Sequence, residues 1–275
     1  MKIALIGNPG VGKSLIFNQL TGLGVEVNKY PGSAIGIESG NVCYRNEKIE
    51  LVDLPGIYGL DGESEEEVLV RRFLEKSGAD SLIAVIDATK LERNLYLLTQ
   101  VAEYTLPMII VVNMIDLAEK QGLFIDTDRL GTIFGSVVLS TTAAQGKNID
   151  RILPLALSSS EPPTLHIPYD HHIEAALRSL EKTMGTPRQK NLLALQGTGD
   201  DPALRDAAAP IATEIEQRHH MSVGQIIATN RHNFAQGVAT EVVRQNTEKK
   251  GVDLDSLLMI FKCGHYPIMG QCGSD

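Results

Sequence analysis

Residues 7–14 read Gly7-Asn8-Pro9-Gly10-Val11-Gly12-Lys13-Ser14, the spacing G-x-x-x-x-G-K-[ST], with an apolar run at 3–6 before it and an amphipathic stretch at 14–20 after it. No other feature restricts the fold of this chain as strongly. The pattern requires a strand that stops, a backbone loop that wraps around phosphate oxygens, and a helix whose N-terminus points at them. Glycines let successive N–H groups turn inward. Lys13 is then placed to reach β- and γ-phosphates, and the Ser14 hydroxyl to ligate Mg²⁺.

The rest of the first 160 residues agrees with that start. Short runs rich in Val, Ile and Leu recur at 3–6, 49–54, 82–86, 108–112 and 137–139. They have the continuous apolar character of strands buried on both faces. Helical patterns lie between and after them at 14–20, 65–74, 91–104, 127–134 and 149–157. The alternation predicts an α/β domain with a mostly parallel sheet. Ser158-Ser159-Ser160-Glu161-Pro162-Pro163 reads as a linker. Beyond it no run reads as a buried strand. The segments 170–184, 187–195, 202–219 and 222–249 read as helices, with Gly185, Gly197 to Gly199 and Gly251 as breaks and Pro210 expected to kink or split the third. The expected organisation is a P-loop domain over 1–160, a small all-α domain over 161–262 and a tail over 263–275.

Charge and cysteine content exclude several classes. The net charge is −9, and residues 1–164 hold 14 Lys+Arg against 21 Asp+Glu, leaving 11 against 13 for the remainder. That balance argues against a nucleic-acid partner. Three widely spaced cysteines do not make a disulfide scaffold. No apolar stretch reaches the length of a membrane span. The acidic run Glu63 to Glu67 reads as a helix N-terminus, where carboxylates complement the dipole. His171-His172 and His219-His220 read as exposed helix-end histidines rather than metal ligands, since adjacent helical residues do not share a face. Cys263 and Cys272 do not have zinc-pair spacing.

Three further motifs follow the P-loop in order. Asp53-Leu54-Pro55-Gly56 ends the second long apolar run, so Asp53 can serve Mg²⁺ and the Gly56 N–H can meet a γ-phosphate. Asn113-Met114-Ile115-Asp116 closes the fourth run; the Asp116 carboxylate can accept from the N1–H and amine of guanine, a pattern adenine cannot supply. Met114 stands where N-K-x-D motifs carry Lys. Thr142-Ala143 would form the last base-binding loop, with the Ala143 N–H aimed at the guanine carbonyl. The nucleotide-binding candidates are therefore Asn8, Pro9, Gly10, Val11, Gly12, Lys13, Ser14, Leu15, Asp53, Gly56, Asn113, Met114, Asp116, Thr142 and Ala143, with Ser14 and Asp53 at the metal. No residue stands out as the catalytic group.

This order of motifs resembles the translation-factor-like GTPases. Lys29-Tyr30-Pro31-Gly32, Asp53-Leu54-Pro55-Gly56-Ile57-Tyr58, and Asp87-Ala88-Thr89 with Leu91-Glu92-Arg93-Asn94-Leu95-Tyr96-Leu97 resemble more closely the cytosolic G domain of the ferrous-iron transporter FeoB family. The resemblance is strong over about 1–160 and weaker beyond. It implies GTP and GDP with Mg²⁺ as ligands and a helical domain that modulates nucleotide affinity and acts as a spacer. It also implies a membrane transporter part in cis, a place at the cytoplasmic face of the inner membrane, and a homo-oligomer as one possible state. The end, Gly264-His265-Tyr266-Pro267-Ile268-Met269-Gly270, resembles the stretch before the family's first membrane helix. Switch I corresponds to Tyr30, Pro31, Gly32, Ser33 and Ala34, and Ala34 stands where the family carries the Thr that covers Mg²⁺. Gly10 replaces the Asn expected to ligate an activating K⁺, which counts against potassium stimulation. Ile57 follows D-x-P-G, so no Gln is available to orient water. The implied function is a GTP-binding, slowly hydrolysing regulatory module of an iron transporter. The alternatives are a soluble GTPase of ribosome or RNA maturation and a nucleotide-binding switch with negligible hydrolysis.

Overall fold

The computed structural model describes residues 1–22, the backbone of 28–29, and residues 37–76 and 78–245. The switch I residues Tyr30 to Ala34, Cys263, Cys272 and the tail lie outside the described residues. A seven-stranded sheet organises the first half. Its order is β2 (Asn28–Lys29), β3 (Glu38–Tyr44), β4 (Glu47–Asp53), β1 (Lys2–Gly7), β5 (Ser81–Asp87), β6 (Met108–Asn113) and β8 (Val137–Ser140). From β4 to β8 every pairing is parallel; β2–β3 and β3–β4 are antiparallel. β1 is flanked by β4 on one side and β5 on the other, and their onward connections diverge. The carboxyl end of β1 is therefore a topological switch point, where open α/β sheets bind ligands.

Period-two alternation divides the strand residues between two cores. Ile3, Leu5, Leu51, Ile83, Val85, Ile109 and Val111 face α1 (Lys13–Thr21) and α6 (Ile152–Ser158). Ala4, Ile6, Val52, Leu54, Ala84, Ile86, Ile110 and Val112 face α2 (Glu65–Glu75) and α3 (Leu91–Ala102). Because both faces are covered, the strands read as continuous apolar runs. β3 lacks that signature: its Glu38-Ser39-Gly40-Asn41 start is polar, and its ladder to β4 fixes it, through a turn in which Arg45 and Asn46 take φ of 49° and 67°. The acidic run behaves as expected, since Ser64 and Glu67 form a capping box at the start of α2. α4 (Ile115–Lys120), β7 (Leu123–Ile125) and α5 (Thr127–Phe134) complete this half.

Residues 167–227 form a separate helical core from α7 (His171–Met184), α8 (Arg188–Leu195), α9 (Pro202–His219) and the first half of α10 (Val223–Val242). Asp170, Asp201 and Ser222 cap α7, α9 and α10. Pro210 does not split α9, which runs through it as one element. The helix expected to reach 249 stops at Val242. The next three residues form β9 (Val243–Gln245), paired antiparallel with β7. The sequence there is Val242-Val243, two β-branched residues, and the Val242 carbonyl accepts from the Asp126 N–H. The second half of α10 is not part of the helical core: Ala235, Val238, Ala239 and Val242 join the core beneath α3. The histidine pairs are also not all free. His172 and His219, one from each pair, meet ring to ring.

Candidate functional site

β1 ends at Gly7, where a Cβ would lie 2.3 Å from the Val85 carbonyl oxygen, so only glycine fits between β1 and β5 there. The chain turns and starts α1 at Gly12, whose φ is +90°; a Cβ at Gly12 would lie 2.4 Å from Asn113 Nδ2. Conformation and space thus both demand glycine at this position. Three groups converge just inside α1. Lys13 Nζ donates to Asp53 Oδ1 at 2.5 Å and Ser14 Oγ donates to Asp53 Oδ2 at 2.7 Å. Lys13 and Asp53 are both nearly buried, so the ion pair is little screened by solvent. Asp53 is delivered by the end of β4. Gly56 brings the following turn against the P-loop, since a Cβ there would sit 2.9 Å from Pro9 Cα, and the Ile57 N–H donates to the Gly7 carbonyl.

Asn8 is buried, and among the described residues neither its side-chain nitrogen nor its oxygen has a hydrogen-bond partner. An amide left so loses about 1–3 kcal/mol. Its place in the phosphate loop makes it a group suited to a polar ligand. Ser14 Oγ and the Asp53 carboxylate are hard oxygen donors adjacent to one another, the donor type Mg²⁺ takes.

The opposite end of the site is built around Asn113, the last residue of β6. Its Nδ2 donates to the Val11 carbonyl at 2.9 Å. Its Oδ1 accepts from Thr141 Oγ1 at 3.1 Å and from the Ala143 N–H at 2.9 Å. The N–H expected to face a base is therefore held by Asn113 in this structure, and Asn113 ties the P-loop to the loop after β8. Gln19 Nε2 adds a bond from α1 to the Ala143 carbonyl. Met114 takes the left-handed conformation, φ 61°, as the N-cap of α4. Such strain in a non-glycine residue is held in place only by well-packed surroundings. It places Asp116 in the first turn of α4, partly exposed, where it accepts from Gln145 Nε2 at 3.3 Å. Thr142 is buried, and Leu15 is exposed on the first turn of α1.

The family model described as ferrous iron transport protein B matches residues 1–155. The chain belongs to the FeoB family. It is 40% identical over 153 residues to the Fe(2+) transporter FeoB of Campylobacter jejuni and 39% identical over 156 residues to that of Salmonella typhimurium, matches that cover 56% and 55% of this chain. They cover only 25% and 20% of the two transporters, so the chain spans a fraction of the curated relatives' length. Among solved structures, a GDP-bound mutant of the S. thermophilus FeoB G-domain aligns with a TM-score of 0.78 at 30% identity, over 89% of this chain and 100% of that one. The cytosolic domain of L. pneumophila FeoB aligns with a TM-score of 0.76 at 26% identity, over 89% and 100%. The fold is thus that of the FeoB G domain with its helical extension. Among the described residues no helix is long and apolar enough to cross a membrane.

The FeoB-like run Leu91 to Leu97 acquires a physical meaning in the structure. α3 clamps the segment that follows Asp53-Leu54-Pro55-Gly56. Arg93 lies over the Tyr58 ring at 4.1 Å, Tyr96 Oη donates to Asp61 Oδ2 at 2.6 Å, and Gln100 Oε1 accepts from the Leu60 N–H at 2.6 Å. Arg71 of α2 closes the clamp by donating to the Leu60 and Gly62 carbonyls. Burial, helped by Asp61, pushes the Tyr96 phenol above its ordinary range, so it stays a donor. Sequence reasoning did not assign these roles. The signal available was the charged and aromatic character of a helix face that would otherwise be apolar.

Proposed function

We propose that this chain is the GTP-binding, slowly GTP-hydrolysing regulatory module of a ferrous iron membrane transporter. The observation that carries the proposal is the convergence of Lys13, Ser14 and Asp53 beside a glycine-built turn. The GDP and GMPPNP forms of the FeoB relatives support it. In this reading the P-loop N–H groups and Asn8 bind phosphate oxygens, and Lys13 leaves Asp53 for the β- and γ-phosphates. Ser14 and Asp53 hold Mg²⁺, which neutralises phosphate charge when bound. Asp116 accepts from guanine, and Thr142 and Ala143 line the base. In the same reading residues 1–160 are the nucleotide domain and the helices after residue 161 a modulating segment whose last helix also packs into the first core, with the transporter part in cis.

In this reading slow hydrolysis follows from side chains that the motifs of the sequence lack. Ile57 is buried and has no polar group to orient water. Ala34 offers no hydroxyl and Gly10 no side-chain ligand for K⁺. The family relationship favours this reading over a GTPase of ribosome or RNA maturation. Competitive binding tests it: the protein should prefer GTP and GDP over ATP, and Asp116→Asn should weaken both at least about tenfold while favouring xanthine nucleotides. Equal affinity for ATP and GTP overturns the guanine assignment. A multiple-turnover phosphate-release assay separates slow hydrolysis from none.

A further inference from the structure

Among the described residues, one cluster of metal-ligating side chains lies outside the nucleotide site. Asp170, His172 and His219 each present one ligand atom, all within 4.8 Å of one another. We propose that these three residues form a binding site for a divalent first-row transition-metal ion in the helical segment.

The three donors come from two helices. Asp170 is the N-cap of α7 and His172 lies in its first turn, while His219 is the last residue of α9, 47 residues further on. His172 Nδ1 and His219 Nε2 are 2.9 Å apart. Asp170 Oδ1 lies 3.5 Å from the first and 3.4 Å from the second. A tetrahedral ion with bonds of about 2.0–2.1 Å separates its ligand atoms by about 3.3 Å, and one face of an octahedron separates them by about 3.0 Å. The observed triangle needs only a few tenths of an ångström of adjustment to take an ion seated just above its plane.

The donor set selects the class of ion. Two imidazoles and one carboxylate suit Zn²⁺, Fe²⁺ or Co²⁺; Mg²⁺ and Ca²⁺ prefer all-oxygen sites, and no thiolate is present to favour Cu(I). Three protein ligands leave positions for solvent, and each of the three side chains is about a quarter exposed, so an ion has access. The carboxylate is already oriented. Asp170 Oδ1 accepts from the His172 N–H at 2.9 Å, and the Asp170 N–H donates to Asn230 Oδ1 of α10 at 2.7 Å. The contact between the two rings requires one of the facing nitrogens to carry a proton. That ring binds an ion by keeping its proton on the other nitrogen instead, a tautomer neutral imidazole adopts readily.

The test is a Co²⁺ titration of the 275-residue protein without a polyhistidine tag, in excess Mg²⁺ and GDP to fill the P-loop, read by visible d–d absorption. One equivalent should bind with an absorption band and be displaced by one equivalent of Zn²⁺. His172→Ala and His219→Ala should each lower the affinity at least about a hundredfold, since even outer-shell changes lower it about 10–100-fold. Asp170→Asn should lower it at least about tenfold; Asn caps helices as well as Asp, so this variant keeps α7 intact. His220→Ala, on an exposed neighbouring residue, should change nothing. Unchanged GDP affinity and far-UV circular dichroism in the variants identify a ligand effect rather than unfolding. No band in the unmutated protein, or a band that survives in the His172→Ala/His219→Ala double variant, overturns the proposal.

Discussion

Asn113 joins three segments that must stay in register for the site to exist, and replacing it by Ala tests this. The side chain is 2% exposed and makes three hydrogen bonds, to the Val11 carbonyl, Thr141 Oγ1 and the Ala143 N–H. Ala leaves the Val11 carbonyl and the Ala143 N–H without that partner, whereas the Thr141 hydroxyl can rotate. Two buried groups left unsatisfied at about 1–3 kcal/mol each give a loss of about 2–6 kcal/mol. Urea unfolding of the nucleotide-free protein should show this as a lower midpoint at unchanged slope. Asp116→Asn, on a partly exposed residue, should move the midpoint little, by about 0.5 kcal/mol or less. Gly12→Ala supplies a second check. Its Cβ would lie 2.4 Å from Asn113 Nδ2, so combining it with Asn113→Ala removes the clash, though not the strain of φ +90°. The double variant should therefore lose less than the sum of the singles. A loss below about 1 kcal/mol for Asn113→Ala, or strict additivity with Gly12→Ala, would refute the argument.

Glu103→Leu strands the buried Arg231 guanidinium, which donates to Glu103 at 2.7 Å and to Tyr169 at 3.0 Å. It should destabilise by about 3–5 kcal/mol in denaturant unfolding, and Glu103→Leu/Arg231→Met should recover most of the loss. Glu174 is held below its ordinary 4.5, first by its hydrogen bond from Arg188. A depressed carboxylate stabilises above the unfolded value and loses that contribution as pH falls through the folded one. The stability difference between the protein and Glu174→Gln should therefore shrink on acidification from pH near neutral to below 4.5. At Gly10, φ is +80° with open space around a Cβ, a conformation Asn tolerates. Gly10→Asn combined with Ala34→Thr should raise GTP turnover and make it K⁺-dependent, more than either change alone; several-fold faster hydrolysis by the unmutated protein in KCl than in NaCl contradicts this.

The parts of the fold legible in the sequence are those where local pattern and tertiary role coincide. β1, β5 and β6 are covered on both faces, so burial wrote itself into unbroken Val, Ile and Leu runs. The P-loop was legible because Gly7 and Gly12 are required by contacts that admit no side chain. β3 was not, because its residues are polar and its place comes from pairing with β4 rather than from its own composition. β9 was hidden for a related reason: Val243-Arg244-Gln245 continues the pattern of α10 and becomes a strand only because β7 offers an edge. The N-x-x-D spacing places Asn113 at the base, but only the three-dimensional structure reveals that its amide takes the Ala143 N–H. The meeting of His172 with His219 depends on how α7 and α9 pack, and spacing within each pair carries no trace of it.

The helical segment is joined to the nucleotide site by a continuous set of polar contacts. Ile57 bonds to Gly7 of the P-loop, and Leu60 and Asp61 bond to Gln100 and Tyr96 of α3. The Tyr96 ring then stacks on His232 of α10 at a centroid distance of 4.0 Å. The neighbouring Arg231 meets Glu103 at the end of α3 and Tyr169 just before α7. Residues 57–62 cannot move independently of α3 while these bonds hold. A ligand that pulls on Gly56 must break the bonds of Leu60 and Asp61 or carry α3 and α10 with it. Because α10 is anchored in both cores, the second course transmits the movement to the helices of the second half. The buried Glu103–Arg231 pair opposes partial outcomes, since separating its charges in a site closed to water costs more than moving both together.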